Sequence, residues 1–206
     1  MSIVKLNNKA VSNATAFGSI SSLGSMTFIK KLTASGSATL SFVDGTDGVV
    51  LDDTYKEYVF TFKNIHPATD NVQFTFNLST DSGSNYNVTK TTTWFVAYHD
   101  EANTAAAVNY ETPRDLAQST AYQIISDGVG SDADQICVGS LQLFNPSSTT
   151  FVKHFISRNA SVYYADYSHN SFLAGYGNTT SAVDAVRFQM SSGNIDAGDI
   201  CLYGIA

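Results

Sequence analysis

The sequence predicts an all-β fold, an antiparallel β-sandwich of the jelly-roll type. Short segments in which apolar and polar residues alternate occur along most of the chain, as expected of strands with one face in a core. Gly, Asn, Ser, Asp or Pro residues bound these segments and mark turns. Apolar residues make up 43% of the chain, which is enough for a sizeable core. About a dozen short strands with no convincing helix favour two packed antiparallel sheets.

The strands expected in the first half of the chain are rich in aromatic and β-branched residues. Residues 72–79 (VQFTFNLS) are the clearest case, because every second residue is apolar and the residues between are polar. Residues 100–120 are the one stretch in which a helical turn could form, with Pro113 at its first position, but PRDLAQ is too short to predict a stable helix. Similar alternating or β-branched runs predict strands at residues 25–32, 38–43, 57–65 and 88–99.

The second half of the chain continues the same pattern up to its end. The loop at residues 191–199 is long for a tight hairpin, so the last strand is expected to pair away from the strand before it. In that last strand Ile200 and Leu202 should point one way, and Cys201 and Tyr203 the other. Strands are predicted at residues 121–125, 135–144, 149–157, 161–167, 171–177, 185–190 and 200–205, with Val186, Phe188 and Met190 towards the core and Arg187 and Gln189 away from it.

Two parts of the chain are distinguished by their patterns: an extended N-terminal arm at residues 1–25 and a single β-sandwich domain at residues 26–206. The first part is small and polar, with isolated apolar residues and no sustained period. Because the last strand is expected to be buried in the sheet, attachment to a partner would use the arm. Five apolar side chains of the arm are the predicted anchors: Ile3, Val4, Leu6, Val11 and Phe17.

The charge pattern argues against nucleic-acid and membrane partners. The net charge is −7, and the 11 Lys and Arg residues form no basic stripe that could neutralise phosphates. No apolar stretch reaches the roughly 18 residues needed to span a bilayer. The N-terminus lacks the continuous apolar region of a signal peptide, so we expect the protein to be made and assembled in a reducing cytoplasm.

Motifs that would indicate catalysis are missing from the sequence. There is no nucleophile elbow, zinc-protease motif or phosphate-binding loop, and the four histidines are not spaced as metal pairs. We therefore expect no enzyme, no metal and no cofactor. Cys137 and Cys201 are expected to be buried free thiols. Acidic residues beside glycines give two weak calcium candidates, one with Asp44, Asp47, Asp52 and Asp53 and the other with Asp127, Asp132 and Asp134.

Aromatic residues provide the one candidate binding feature outside the arm. The segment SVYYADYSHN lies between predicted strands, so its tyrosines cannot all be buried. It supplies a candidate glycan or interface site made of Tyr163, Tyr164, Tyr167 and His169, because tyrosine rings stack on sugars and are enriched at protein interfaces. Further candidates for sugar stacking are Trp94, Tyr98 and Tyr176.

Four blocks of the sequence stand out as a set: KEYVFTFKNIHPATDN at 56–71, FTFNLSTDSGSNYNVT at 74–89, LFNPSSTTFVKHF at 143–155 and NTTSAVDAVRFQMSSGNIDAGDICLYGI at 178–205. Together they resemble small virion structural proteins of tailed bacteriophages that infect marine bacteria. The resemblance covers roughly residues 26–205 and is carried by fold-building residues.

The resemblance implies a β-sandwich subunit of a phage particle. A decoration or accessory subunit, knob-like and attached to other virion proteins through the arm, is the first expectation. A homo-oligomer is expected, with a trimer favoured, because a chain with only 14% charged residues has a low-charge surface that suits subunit contacts. The alternative is a tail-fibre or tail-tip adhesin that binds host surface glycans. A glycan-degrading enzyme is the third alternative, and it would need paired carboxylates that meet in space.

Overall fold

The computed structural model describes residues 25–206 and shows an all-β chain. Within these residues there are twelve strands, and no helix is long and apolar enough to cross a membrane. The strands are β1 (Met26–Ser37), β2 (Leu40–Val43), β3 (Glu57–Pro67), β4 (Val72–Ser79), β5 (Lys90–Asp100), β6 (Ala106–Tyr110), β7 (Gln123–Val129), β8 (Cys137–Phe144), β9 (Lys153–Tyr163), β10 (Tyr167–Gly177), β11 (Ala185–Met190) and β12 (Ile195–Ile205).

All strand pairs are antiparallel, and they form one sheet that nearly closes as a barrel. Its main path runs β1-β12-β3-β8-β9-β7-β4-β11-β2. From β9 the sheet also extends through β10 to β5 and then to β6, which pairs with β5 alone among the strands of residues 25–206. The prediction of an all-β fold with about a dozen strands is confirmed, whereas the jelly-roll sandwich of two packed sheets is not.

Residues 100–120 are the stretch in which the sequence allowed a helical turn but predicted no stable helix. No helical turn forms there; residues 106–110 are instead the edge strand β6, and the segment after it is a series of turns. An alanine-rich run favours a helix locally, but here its backbone pairs with β5 over five residues. The following turns carry Arg114 across to β7, where its side chain meets Asp127.

A cluster of phenylalanine rings fills the centre of the barrel. Phe188 of β11 lies in its middle and is fully buried. The five rings around it are Phe42, Phe60, Phe62, Phe74 and Phe76. Phe42 and Phe62 contact it edge-on and Phe74 is stacked on it, which are arrangements that aromatic rings prefer, while the other two rings are tilted.

The last strand has the faces that the sequence predicts. Ile200 and Leu202 are fully buried, while Cys201 and Tyr203 are half-buried on the other face. As expected, β12 does not pair with the strand before it but lies between β1 and β3. The expectation of two buried thiols holds for Cys137 only.

Candidate binding site

A cavity of about 250 Å³ opens between β5, β10 and β7, beside the turns that follow β6. Aromatic rings form much of its wall, and charged side chains form the rest. The residues that line it are Trp94, Val96, Tyr98, Asn109, Glu111, Arg114, Asp127, Tyr163, Tyr167 and His169, and we call it the aromatic cavity.

The hairpin between β9 and β10 brings two tyrosines into the aromatic cavity. Tyr163 ends β9 and Tyr167 begins β10, and the register places them directly opposite each other. The three-residue loop between them closes with Asp166 in the left-handed conformation (φ 62°), as short hairpin loops require. The two rings are stacked, with centroids 5.8 Å apart and planes 7° from parallel.

A glycine beneath Tyr163 allows the ring to lie where it does. Gly128 of β7 has a left-handed φ of 59°, and a Cβ at this position would come within 1.9 Å of the Tyr163 ring. The Gly128 carbonyl also accepts a hydrogen bond from the backbone N–H of Tyr164. The absence of a side chain on β7 therefore positions the tyrosine hairpin against the barrel.

His169 joins the tyrosine hairpin to the aromatic side chains of β5. It follows Tyr167 by two residues, so both side chains lie on the same face of β10. The centroid of the His169 ring is 5.1 Å from that of Tyr163 and 6.4 Å from those of Trp94 and Tyr98. Every second side chain of β5 and of β10 points to the same side of the sheet, so the rings on these two neighbouring strands form one continuous aromatic wall.

An ion pair forms the polar side of the aromatic cavity. Arg114 Nε lies 2.8 Å from Asp127 Oδ2, and Gln73 Nε2 donates a hydrogen bond of 3.1 Å to Asp127 Oδ1. Glu111, also on the lining, is held by its backbone N–H, which donates to the carbonyl of Trp94. Two carboxylates and one guanidinium thus face the aromatic wall.

Burial changes the titration of two side chains in the cavity. Loss of hydration, together with smaller contributions from nearby Tyr164 and Asp127, raises the pKa of the Tyr163 hydroxyl to about 12. Burial lowers the pKa of His169, although the charge of Asp127 partly opposes this. The hydroxyl of Tyr163 is therefore protonated and the imidazole of His169 is neutral at neutral pH.

This arrangement can hold a small ligand that has both an apolar face and hydroxyl groups. Flat aromatic rings pack against the C–H face of a sugar, and the charged and polar groups can exchange hydrogen bonds with its hydroxyls. Both oxygens of Asp127 are already engaged, by Gln73 and by Arg114, which favours binding over proton transfer to a substrate.

The structure brings together most of the predicted aromatic candidates. Tyr163, Tyr167 and His169 line the aromatic cavity together with Trp94 and Tyr98. Tyr164 is 40% exposed and packs on the ring of Tyr163 with a centroid distance of 4.6 Å, but it does not line the cavity. One candidate lies elsewhere: Tyr176 packs against His154. The predicted arm anchors Ile3, Val4, Leu6, Val11 and Phe17 lie outside the described residues.

The charged half of the cavity was not predicted. Arg114, Glu111 and Asn109 carry no motif, and they reach the site only because β6 and its following turns pack beside β5. Asp127 was considered as part of an acidic turn for calcium, but its partner is Arg114. Among residues 25–206, no group of three or more His, Cys, Asp or Glu side chains is arranged to hold a metal ion.

No family model, no curated protein and no solved structure matches this chain.

Proposed function

We propose that this chain is a non-enzymatic saccharide-binding domain, an adhesin-type component of a phage particle, with the aromatic cavity as its binding site. The observation that carries the proposal is the wall of stacked rings at Tyr163, Tyr167 and His169, which faces the polar groups of Asp127 and Arg114. The resemblance in the sequence supports the virion context, and host surface glycans are the partners that this context suggests.

Replacing Tyr163 with alanine is expected to weaken saccharide binding by about two- to tenfold, because the loss of one stacked aromatic contact is worth about 0.5–1.5 kcal/mol and the neighbouring ring of Tyr167 would lose its support. Binding of the purified chain to an array of neutral and acidic glycans, followed by titration with the strongest soluble hit, provides the measurement. Tyr176→Ala is the matched control, because Tyr176 lies outside the cavity.

Two results would contradict the proposal. Equal saccharide binding by Tyr163→Ala and by the unchanged protein would show that the aromatic wall does not contact the saccharide, provided that the two proteins have the same thermal midpoint. Release of reducing sugars from a bound glycan would replace the non-enzymatic role with hydrolysis by the carboxylates of the cavity.

A second candidate function is favoured by the outer face of β6, β5, β10 and β9. Four residues in register across these strands form what we call the outer row: Tyr110, Phe95, Phe172 and Arg158. The two phenylalanine rings stack with centroids 4.7 Å apart, and the Arg158 guanidinium lies 5.2 Å from the Phe172 centroid. Exposed aromatic rows with a neighbouring arginine are typical of interfaces. This row supports an assembly subunit that packs against a second copy of the chain.

Replacing Phe95 and Phe172 together with serine is expected to convert an oligomer of the full chain into a monomer. The reason is that the apolar area buried between copies would be lost, while neither side chain belongs to the barrel core. Light scattering after size exclusion measures the mass. Phe151→Ser is the control, because Phe151 is exposed elsewhere. A monomeric unchanged protein would rule out this assembly.

A further inference from the structure

Buried nitrogen atoms without hydrogen-bond partners are concentrated around the aromatic cavity. Among the described residues, five buried side-chain N or O atoms have no partner, and three of them belong to residues that line this cavity. Such atoms are rare in folded proteins once ordered water is counted, so their concentration at one place points to a bound molecule, either water or a ligand, that supplies acceptors to them. The three are Trp94 Nε1, Arg114 Nε and His169 Nδ1.

These three atoms are suited to donate hydrogen bonds. The indole of Trp94 and the guanidinium of Arg114 can only donate, and His169 Nδ1 donates in one tautomer. Arg114 Nε is close to Asp127 Oδ2, but their alignment does not give a hydrogen bond. A ligand that satisfies this side of the cavity must therefore bring acceptor atoms.

The charges around the cavity decide which acceptors fit. Asp127 and Glu111 are two carboxylates against the single guanidinium of Arg114, which Asp127 already pairs. An anionic sugar would have to approach both carboxylates without a free cation to meet it. An alkylammonium ligand would be attracted to the rings and carboxylates, but it would leave the donors of Trp94 and His169 without acceptors.

A neutral sugar brings acceptor atoms to the donors and carries no negative charge towards the carboxylates. Its hydroxyl oxygens accept hydrogen bonds, and its hydroxyl hydrogens donate to carboxylates. The neutral imidazole of His169, whose pKa is lowered by burial, presents no full charge to such a ligand. The volume of about 250 Å³ is below the roughly 300–1,000 Å³ of sites for drug-sized molecules, which favours one sugar ring.

We propose that the aromatic cavity selects a single neutral sugar ring, which packs on Tyr163 and Tyr167 and accepts hydrogen bonds from Trp94 Nε1 and His169 Nδ1. This inference rests on the proposed saccharide-binding function and adds the chemical class of the ligand to it. Acidic sugars and alkylammonium compounds are excluded by the same groups, through their charge or their lack of acceptors.

Titration of the full chain with matched probes tests the selectivity. The probes are the methyl glycosides of glucose and galactose, the same two rings with a carboxylate at C6, and choline. We expect the better neutral glycoside to bind at least tenfold more tightly than its carboxylate counterpart and than choline. Tighter binding of a carboxylate probe or of choline would overturn this inference but leave a binding site in place. No binding by any probe or by any glycan of the array would overturn the proposed function and this inference together.

Two variants test the assigned donors separately from the ring wall. Trp94→Phe and His169→Phe each remove a nitrogen donor but keep an aromatic ring. Each is expected to weaken binding of the neutral glycoside about tenfold. Tyr176→Phe, which removes a hydroxyl outside the cavity, should leave binding unchanged. Unchanged affinity in both donor variants, with thermal midpoints near that of the parent, would show that these nitrogens do not contact the sugar. If Trp94→Phe fails to fold, His169→Phe alone decides the result.

Discussion

Replacing Phe188 with alanine is expected to lower the free energy of unfolding by about 3–5 kcal/mol. The side chain is fully buried, and truncation would leave a cavity in the middle of the barrel. Because the rings around it come from three different strands, the site cannot collapse by the movement of one segment. Five phenylalanines would lose contacts: Phe42, Phe60, Phe62, Phe74 and Phe76.

Denaturant unfolding followed by tryptophan fluorescence measures this effect. Trp94 is the single tryptophan of the chain and is fully buried, so its emission reports the loss of the core. Phe151→Ala is the control, because this ring is 67% exposed, and its change should stay within about 0.5 kcal/mol. Similar losses in both variants would mean that the ring cluster does not hold the barrel together.

The stability of the protein is expected to depend on pH through one buried lysine. Lys90 is fully buried, and its Nζ donates hydrogen bonds to Asn77 Oδ1 at 2.5 Å and to the Val88 carbonyl at 2.7 Å. Loss of hydration lowers the pKa of Lys90 to about 7 in the folded state. Between this value and the ordinary lysine pKa of 10.5, the unfolded chain binds a proton that the folded chain does not.

Rising pH therefore increases the free energy of unfolding in this window. Below pH 7 this increase is absent, because Lys90 is protonated in both the folded and the unfolded chain. We compare how steeply the free energy of unfolding rises with pH in the unchanged protein and in Lys90→Met. From about pH 7 to about pH 9, the slope of the unchanged protein should exceed that of the variant by up to about 1.4 kcal/mol per pH unit. The comparison with a variant is needed because burial also raises the pKa of the Cys137 thiol to about 12, which makes stability fall as pH rises through the alkaline range.

Denaturant unfolding at several pH values, with the two proteins measured side by side, gives the slopes. Lys63→Met, at an exposed position of β3, is the control and should keep the slope of the unchanged protein. Parallel pH profiles for the unchanged protein and Lys90→Met would show that Lys90 keeps its proton in the folded state.

Local alternation in the sequence was sufficient for several features of the structure. Successive side chains of a strand point to opposite faces, so a period of two in the sequence predicts which residues face the core. This rule predicted the burial of Val186, Phe188 and Met190 and the two faces of β12. The prediction of one strand at residues 161–167 was wrong, because β9 ends at Tyr163 and β10 begins at Tyr167, so the hairpin that brings these tyrosines together was not predicted.

Other features depend on which distant segments pair, and local patterns do not contain that information. Residues 106–110 form β6 because their backbone pairs with the edge of β5. The same packing carries Arg114 to Asp127, and neither residue indicates the other in the sequence. The near-closure of the sheet as a barrel was likewise missed, since a sandwich and a barrel present the same alternating segments.

The sequence by itself determined the class of the fold and the inward faces of strands such as β11 and β12, because each depends on residues that are neighbours along the chain. Only the tertiary structure decided that the tyrosine hairpin lies against Trp94 and Tyr98, that an ion pair faces it, and that buried nitrogens around it lack partners. The physical reason is that these relations join β5, β7, β10 and the turns after β6, whose pairing and packing are set by the whole sheet.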